Sequence, residues 1–218
     1  MVLSKDMTDQ FVEAYKETTD GREYNATTST DFLRRMSTNY KNRLENSNTG
    51  HAFYIYTMFA ERGKLSTRTV TLQKSEGPYD VAVQQFMAAG KPTSPDCLCL
   101  VSAMKFRDTA VSKELKDDRE RIRNEARSIV VRVTSGKKLN EVEAKGMANE
   151  IASDIKKMIK EKKYPSNCVI GVIIADPDLQ YKDGVIATSK QDMERIQVAY
   201  KTSQFNVIVL IVAIPSDS

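Results

Sequence analysis

The sequence predicts an α/β fold: a single domain with a mostly parallel or mixed central sheet covered by helices, preceded by an N-terminal helical arm. Two almost wholly apolar segments, residues 168–175 and 207–214, indicate central strands, because neither face of such a segment can meet water. Segments of helical periodicity separate the predicted strands, which is typical of crossover connections between parallel strands. A length of 218 residues suits one domain with a small appendage.

The predicted arm covers residues 1–50, and the predicted α/β domain covers residues 51–218. Two amphipathic helices joined by a polar loop are expected in the arm, from apolar residues at helical spacing: Met7, Phe11, Ala14 and Tyr15 in the first, and Met36, Tyr40 and Leu44 in the second. We expect these helices either to dock on the domain or to face a partner.

The first part of the predicted domain contains a hairpin and a short helix. Residues 51–73 are rich in β-branched and aromatic side chains, with a turn at residues 61–66, and threonines alternate with other side chains in the second strand, residues 67–73. Pro78 suits the first turn of a helix that includes residues 81–87. A strand at residues 96–104 follows.

The second part of the predicted domain alternates helices and strands. A charged helix at residues 108–127 precedes a strand at 128–134 and a long amphipathic helix at 139–162. A loop follows the apolar strand that ends at residue 175. Thr188 and Gln191 then form a potential capping box for a helix to about residue 203. No internal repeat is detectable.

Composition and cysteine usage predict an intracellular, cytoplasmic protein. The formal net charge is +4, spread over both signs, and the N-terminus lacks the apolar region of a secretory signal. The three cysteines, Cys97, Cys99 and Cys168, are an odd number and are expected to be free, buried thiols. No apolar run approaches the roughly 20 residues that a membrane-spanning helix needs.

The usual catalytic motifs are absent. A single histidine, His51, excludes paired-histidine zinc motifs, and neither a GxGxxG loop nor a GxSxG elbow occurs. This census favours a protein that is not an enzyme and has no cofactor.

An acidic loop is the first candidate site. Asp176 and Asp178 follow the apolar strand, and Asp183 lies in the loop behind them. At the carboxyl end of a parallel strand, these carboxylates could hold Mg²⁺ or act as acid and base. The alternative is ordinary turn chemistry, since Asp caps its own backbone in loops.

The second candidate is the turn formed by Ser135, Gly136, Lys137 and Lys138. Between a predicted strand and a helix, amide groups and two lysines could bind phosphate. The alternative is a plain turn in which Ser135 or Asn140 caps the helix. In a parallel sheet this turn and the acidic loop would share one edge, which supports a phosphate- or nucleotide-handling enzyme.

Two further surfaces complete the candidates. A possible anion patch comprises lysines near the end of the long helix, where cations also oppose the helix dipole: Lys156, Lys157, Lys160 and Lys163. Tyr54 and Tyr56 share a strand face near Arg68 and could stack on single-stranded RNA, although side-chain packing explains them equally.

The sequence therefore predicts a non-catalytic protein-interaction or assembly protein, which binds a protein partner or itself and no membrane. The alternative is a phosphate- or nucleotide-handling enzyme, with Mg²⁺ as its cofactor. Single-stranded RNA binding is a third possibility, which the dispersed charge does not favour.

Overall fold

The computed structural model describes residues 2–47, 50–65, 69–74, 81–88, 94–105, 113–162, 166–187 and 194–215. Four helices lie within these ranges: α1 (Val2–Thr19), α2 (Ser29–Ser47), α3 (Lys113–Thr134) and α4 (Glu141–Glu161). The same ranges contain eight strands: β1 (His51–Ala60), β2 (Thr69–Lys74), β3 (Val81–Ala88), β4 (Asp96–Lys105), β5 (Ser166–Ala175), β6 (Tyr181–Ala187), β7 (Glu194–Lys201) and β8 (Asn206–Pro215).

The described strands form two antiparallel sheets of four strands, so the predicted parallel or mixed central sheet covered by helices is wrong. One sheet has the order β3-β4-β1-β6 and the other β2-β5-β8-β7. Each strand pair in them is antiparallel. The apolar segments do form interior strands, but burial of both faces carries no information about strand direction, and here it occurs in antiparallel sheets.

The chain divides into two compact units. Unit 1 consists of Met1–Ser66, Tyr79–Arg107 and Gln180–Lys190. The two helices expected in residues 1–50 are present, and they pack on one face of the β3-β4-β1-β6 sheet, with α1 against β3 and α2 against β1 and β6. Their apolar stripes bury against Phe53, Ile55 and Phe59 of β1.

Unit 2 consists of Thr67–Pro78, Asp108–Leu179 and Gln191–Ser218. Here α3 packs against β7, and α4 packs against β5 and β2. The core joins the apolar stripes of both helices to alternate residues of β5 and β8. Ile173 and Val209 lie in the two apolar segments that the sequence predicts to be buried strands. Both are 0 % exposed, on the neighbouring strands β5 and β8, so the predicted burial of these segments is confirmed.

Three local predictions are wrong for one physical reason. Residues 81–87 and 194–201 form strands β3 and β7 instead of helices, and residues 128–134 complete helix α3 instead of forming a strand. Short amphipathic segments fit either period, and the surrounding packing decides between them. The proposed capping box of Thr188 and Gln191 lies outside the described residues.

The predicted hairpin at residues 51–73 is also wrong. Both strands exist, but β1 and β2 do not pair with each other: β2 pairs with β5 in unit 2, and β6, which was predicted to be loop, pairs with β1 in unit 1. Alternating polarity fixes which face of a strand is buried, and it leaves the identity of the neighbouring strand open.

The two halves of the chain contain the same elements in the same order, which is two helices followed by four strands. The spatial order across each sheet is also the same when the second sheet is read from β7. The third, fourth and first strands of one half come first, and the second strand of the other half lies beside the first strand. The sequence showed no internal repeat, yet the described fold has one. None of the described helices combines the length and apolar composition needed to cross a bilayer.

Candidate functional site

The acidic loop is held by its backbone. Asp176 and Asp178 follow β5 in unit 2, and the Leu179 N–H donates to the Asp176 carbonyl at 3.2 Å. The side-chain amide of Asn206 donates to the carbonyls of Asp176 at 3.0 Å and Pro177 at 3.2 Å. These contacts form a tight turn, which the Asn206 side chain links to the start of β8.

Asp183 lies elsewhere, on strand β6 of unit 1 and opposite Met58 of β1. The Tyr56 hydroxyl donates to its Oδ2 at 3.2 Å. Burial, and next the Asp183 carboxylate, raise the pKa of Tyr56 well above its ordinary value, so Tyr56 stays a neutral donor. The Asp183 carboxylate is therefore the hydrogen-bond acceptor of a buried tyrosine.

No group of three or more His, Cys, Asp and Glu side chains that could hold a metal ion occurs in the described part of the chain. The Mg²⁺ site that we considered for the acidic loop stays a prediction.

The Ser135–Lys138 turn joins two helices, because the strand predicted before it is the end of α3. Gly136 has a φ of +71°, and the Ser135 and Lys137 amides donate to carbonyls of the last turn of α3, Val131 at 3.1 Å and Thr134 at 3.2 Å. Such a cap satisfies helix carbonyls with local amides. Lys138 is exposed, and the Lys137 ammonium pairs with Glu150 at 3.3 Å.

The following helix begins with a side-chain cap. The Asn140 Oδ1 accepts a hydrogen bond from the Glu143 N–H at 2.8 Å, which confirms the capping alternative for Asn140. Glu141 and Glu143 already place two carboxylates in the first turn of α4. They occupy the positive end of the helix dipole and would repel a phosphate.

The same turn occurs in unit 1, with the same bonds. Gly21 has a φ of +64°, the Arg22 N–H donates to the Thr19 carbonyl at 3.2 Å, and the Asn25 Oδ1 accepts from the Thr28 N–H at 3.0 Å. A Thr-x-Gly-x-x-x-Asn pattern begins at residues 19 and 134, and this was the sequence signal of the repeat that we missed. Its recurrence indicates a structural role for the second turn too.

The lysine patch is partly neutralised. Lys156 is half-buried, Lys160 is exposed, and the Lys157 ammonium lies 3.8 Å from a Glu161 carboxylate oxygen. Lys163 lies outside the described residues. The patch thus offers fewer free cations than the sequence suggested.

The tyrosine pair offers no stacking surface. Tyr54 is 4 % exposed and Tyr56 is 0 % exposed, and a buried ring cannot stack on a base. Arg68, their supposed neighbour, lies outside the described residues.

All three cysteines are free and buried, as predicted. Burial raises the pKa of Cys97 well above its ordinary value and that of Cys99 to about 12. Buried neutral thiols are poor nucleophiles. Cys97 and Cys99 therefore behave as core residues of unit 1.

Two exposed helix surfaces were not predicted from the sequence. The first, which we call the acidic stripe, lies on and just after α1 and carries four carboxylates and one lysine: Asp9, Val12, Glu13, Lys16, Glu17 and Asp20. The second, the basic stripe, lies on and just after α3 and carries two arginines and no carboxylate: Asn124, Arg127, Ser128, Val131, Arg132 and Ser135. The net charges are therefore −3 and +2.

The two stripes occupy equivalent positions of the repeated helical hairpin, since α1 and α3 are the first helices of their halves. Each includes one exposed valine: Val12 is 40 % exposed and Val131 is 39 % exposed. Five residues of the basic stripe line an open depression of about 440 Å³. A surface of this kind suits contact with another macromolecule better than enclosure of a small ligand.

Comparison of the chain with protein families, with curated protein sequences and with solved structures finds no match.

Proposed function

We propose that this chain is a non-catalytic assembly protein, whose copies associate through the acidic stripe of one copy and the basic stripe of another. The opposite charge of these two exposed surfaces is the observation that supports the proposal. Complementary charges steer encounter and fix which surfaces meet. Each copy would use two different surfaces, and such heterologous contacts build rings or filaments.

Several charges in the stripes are available for a partner. Asp9, Asp20 and Arg127 have no ion-pair partner among the described residues, whereas Glu13 pairs with Lys16 at 2.9 Å and Arg132 pairs with Asp154 of α4. A new ion pair between Asp9, Asp20 or Arg127 and a residue of another copy therefore breaks no existing ion pair.

The expected association is weak and sensitive to salt. Exposed ion pairs contribute about 0–1 kcal/mol each, and the Debye length is about 8 Å at physiological ionic strength. A stable interface usually buries about 800 Å² on each partner, so association through one six-residue stripe is expected to be transient. A cytoplasmic location belongs to the same proposal, because three free thiols persist in a reducing compartment.

Sedimentation velocity of the intact protein, over a range of concentrations at low and high salt, tests the proposal. We expect species larger than the 24.6 kDa monomer at low salt, and their loss at high salt. A monomer at every concentration at low salt would contradict it.

Charge reversal identifies the surfaces. Asn124→Asp with Arg127→Glu makes the basic stripe acidic, and Asp9→Lys with Asp20→Lys makes the acidic stripe basic. Each double variant should fail to associate with itself, but the two should associate when mixed, because every contact is then complementary again. Lys157→Glu with Lys160→Glu, on α4, is the matched control and should associate like the parent.

A further inference from the structure

The two halves of the chain correspond residue by residue through their helices. Met7 and Phe11 of α1 correspond to Ile122 and Ala126 of α3, a spacing of 115 residues, and all four are buried. The same spacing places every buried residue of α2 on a buried residue of α4, in this order: Ser29, Phe32, Met36, Ser37, Tyr40 and Leu44 on Ala144, Met147, Ile151, Ala152, Ile155 and Ile159.

The correspondence continues into the first strands without insertion or deletion. Phe53 lies opposite Ala103 in unit 1, and Cys168, which is 115 residues after Phe53, lies opposite Ala213 in unit 2. The sheets thus share their register as well as their strand order. Few residues of the helices, their connecting turns and the first strands are identical at this spacing, which is why the sequence concealed the repeat: they are Thr19 and Thr134, Gly21 and Gly136, Asn25 and Asn140, Lys41 and Lys156, Ile55 and Ile170, and Ala60 and Ala175.

The second strands occupy each other's sheets. Thr57 of β1 pairs with Gly184 of β6, and its counterpart Val172 of β5 pairs with Thr71 of β2. In both sheets the place beside the first strand is therefore filled by the second strand of the other half. The exchange is reciprocal, and this pairing makes Thr71 and Gly184 counterparts at a spacing of 113 residues instead of 115.

We infer that the first strand of each half is a strand-accepting edge, whose partner is the second strand of another copy of the same module. The chain is then a strand-exchanged pair of modules joined into one polypeptide. An unpaired strand edge exposes backbone donors and acceptors that need a partner. Each half thus contributes its second strand to the sheet of the other. Because the first two strands of a half do not pair with each other, no short turn is needed between them.

Cleavage of the intact, folded protein tests this dependence. A protease recognition sequence inserted between Arg107 and Asp108 allows the chain to be cut into its two halves after folding. The expected result is that both fragments elute together at the size of the uncut protein and separate only in denaturant. Fragments that separate in native buffer overturn the inference.

Disulfide trapping in the cleaved protein distinguishes strand exchange from ordinary adhesion between fragments. Thr71→Cys with Val172→Cys, or the neighbouring pair Val70→Cys with Ile173→Cys, should join the fragments covalently upon oxidation. Two successive pairs are used because adjacent cross-strand pairs alternate in their separation.

The matched control is Thr57→Cys with Thr71→Cys. These positions would be opposite each other if the first half formed its own hairpin in the same register, and a disulfide there would leave the fragments unjoined. A disulfide in this control, or no joined species from either exchanged pair, overturns the inference. The cleavage experiment without cysteine substitutions gives an answer even if a variant fails to fold.

Discussion

Units 1 and 2 agree in their cores and differ on their surfaces. Every buried residue of α2 has a buried counterpart in α4, and the central strand pairs are buried in both units, while equivalent exposed positions of α1 and α3 carry net charges of −3 and +2. Core positions are restricted by volume and burial, whereas exposed positions change at little cost to stability. The surfaces are therefore where the two modules can acquire different partners, and the cores are where their common architecture is fixed.

The largest expected effect comes from a charge in either core. Cys99 of β4 and Val209 of β8 are equivalent positions, both 0 % exposed. Replacing either with Asp buries a charge without a partner, which costs several kcal/mol out of the roughly 5–15 kcal/mol of a typical domain. Circular dichroism and urea titration should show loss of cooperative unfolding in both variants.

The matched control is Val142→Asp, because Val142 is 82 % exposed. It should change the free energy of unfolding by less than about 0.5 kcal/mol, as surface substitutions usually do. Cooperative unfolding of Val209→Asp at the stability of the parent would contradict the interior placement of β8.

A smaller paired effect is expected at the two helix ends. Gly21 and Gly136 have φ values of +64° and +71°, with nothing within 4 Å of an added Cβ, so only backbone strain opposes alanine. Each substitution should destabilise by about 1–2 kcal/mol in urea titrations. Gly146→Ala, inside α4, should instead stabilise by about 0.5–1 kcal/mol. Unequal effects at Gly21 and Gly136 would weaken the equivalence of the turns.

The asparagines of the two turns, one of which caps α4, offer a comparable pair. Asn25→Ala and Asn140→Ala each remove a side-chain acceptor from a backbone N–H, at 3.0 Å and 2.8 Å respectively. Loss of such a cap typically costs about 1 kcal/mol. Chemical denaturation should give similar losses for both, and Ser and Asp at these positions should restore most of the stability.

The equivalent core positions Cys99 and Val209 should differ in titration behaviour. Burial raises the pKa of Cys99 to about 12 from an ordinary 9.0, whereas Val209 has no ionisable group. The neutral thiol therefore contributes its full stability below about pH 9, and that contribution is lost as the pH rises towards 12. Between pH 8 and pH 10, the free energy of unfolding measured by urea titration should fall less for Cys99→Ala than for the parent.

At neutral pH, thiol reagents should titrate three thiols only after unfolding.

The smallest effect is expected in the acidic loop, whose turn is held by backbone carbonyls. Asp176→Asn with Asp178→Asn should change the free energy of unfolding by less than about 1 kcal/mol. Calorimetric titration with Mg²⁺ and a nucleoside triphosphate should give no difference between parent and variant. Heat in the parent that the variant lacks would instead favour the enzyme alternative.

Helices with long apolar stripes and strands with apolar interiors were predictable, as α1, α2, α4, β5 and β8 illustrate. Strand direction and partners were not, because the polarity of β2 and β6 suits either sheet equally. The end of α3 was mistaken for a strand because Val130, Val131 and Val133 favour β structure locally, and packing of Val130 and Val133 against α4 and the sheet overrides that preference. The shared edge of the two candidate sites was argued from a parallel sheet that the fold does not contain: Asp183 lies on strand β6 instead of in a loop, and Ser135 follows helix α3 instead of a strand.

Cross-strand Hα–Hα nuclear Overhauser effects in the isotope-labelled, intact protein detect the reciprocal exchange of second strands without any substitution or cleavage. We expect contacts of β2 with β5 around Thr71 and Val172, and of β6 with β1 around Gly184 and Thr57. Contacts of β2 with β1 around Thr71 and Thr57, with none to β5, would contradict it.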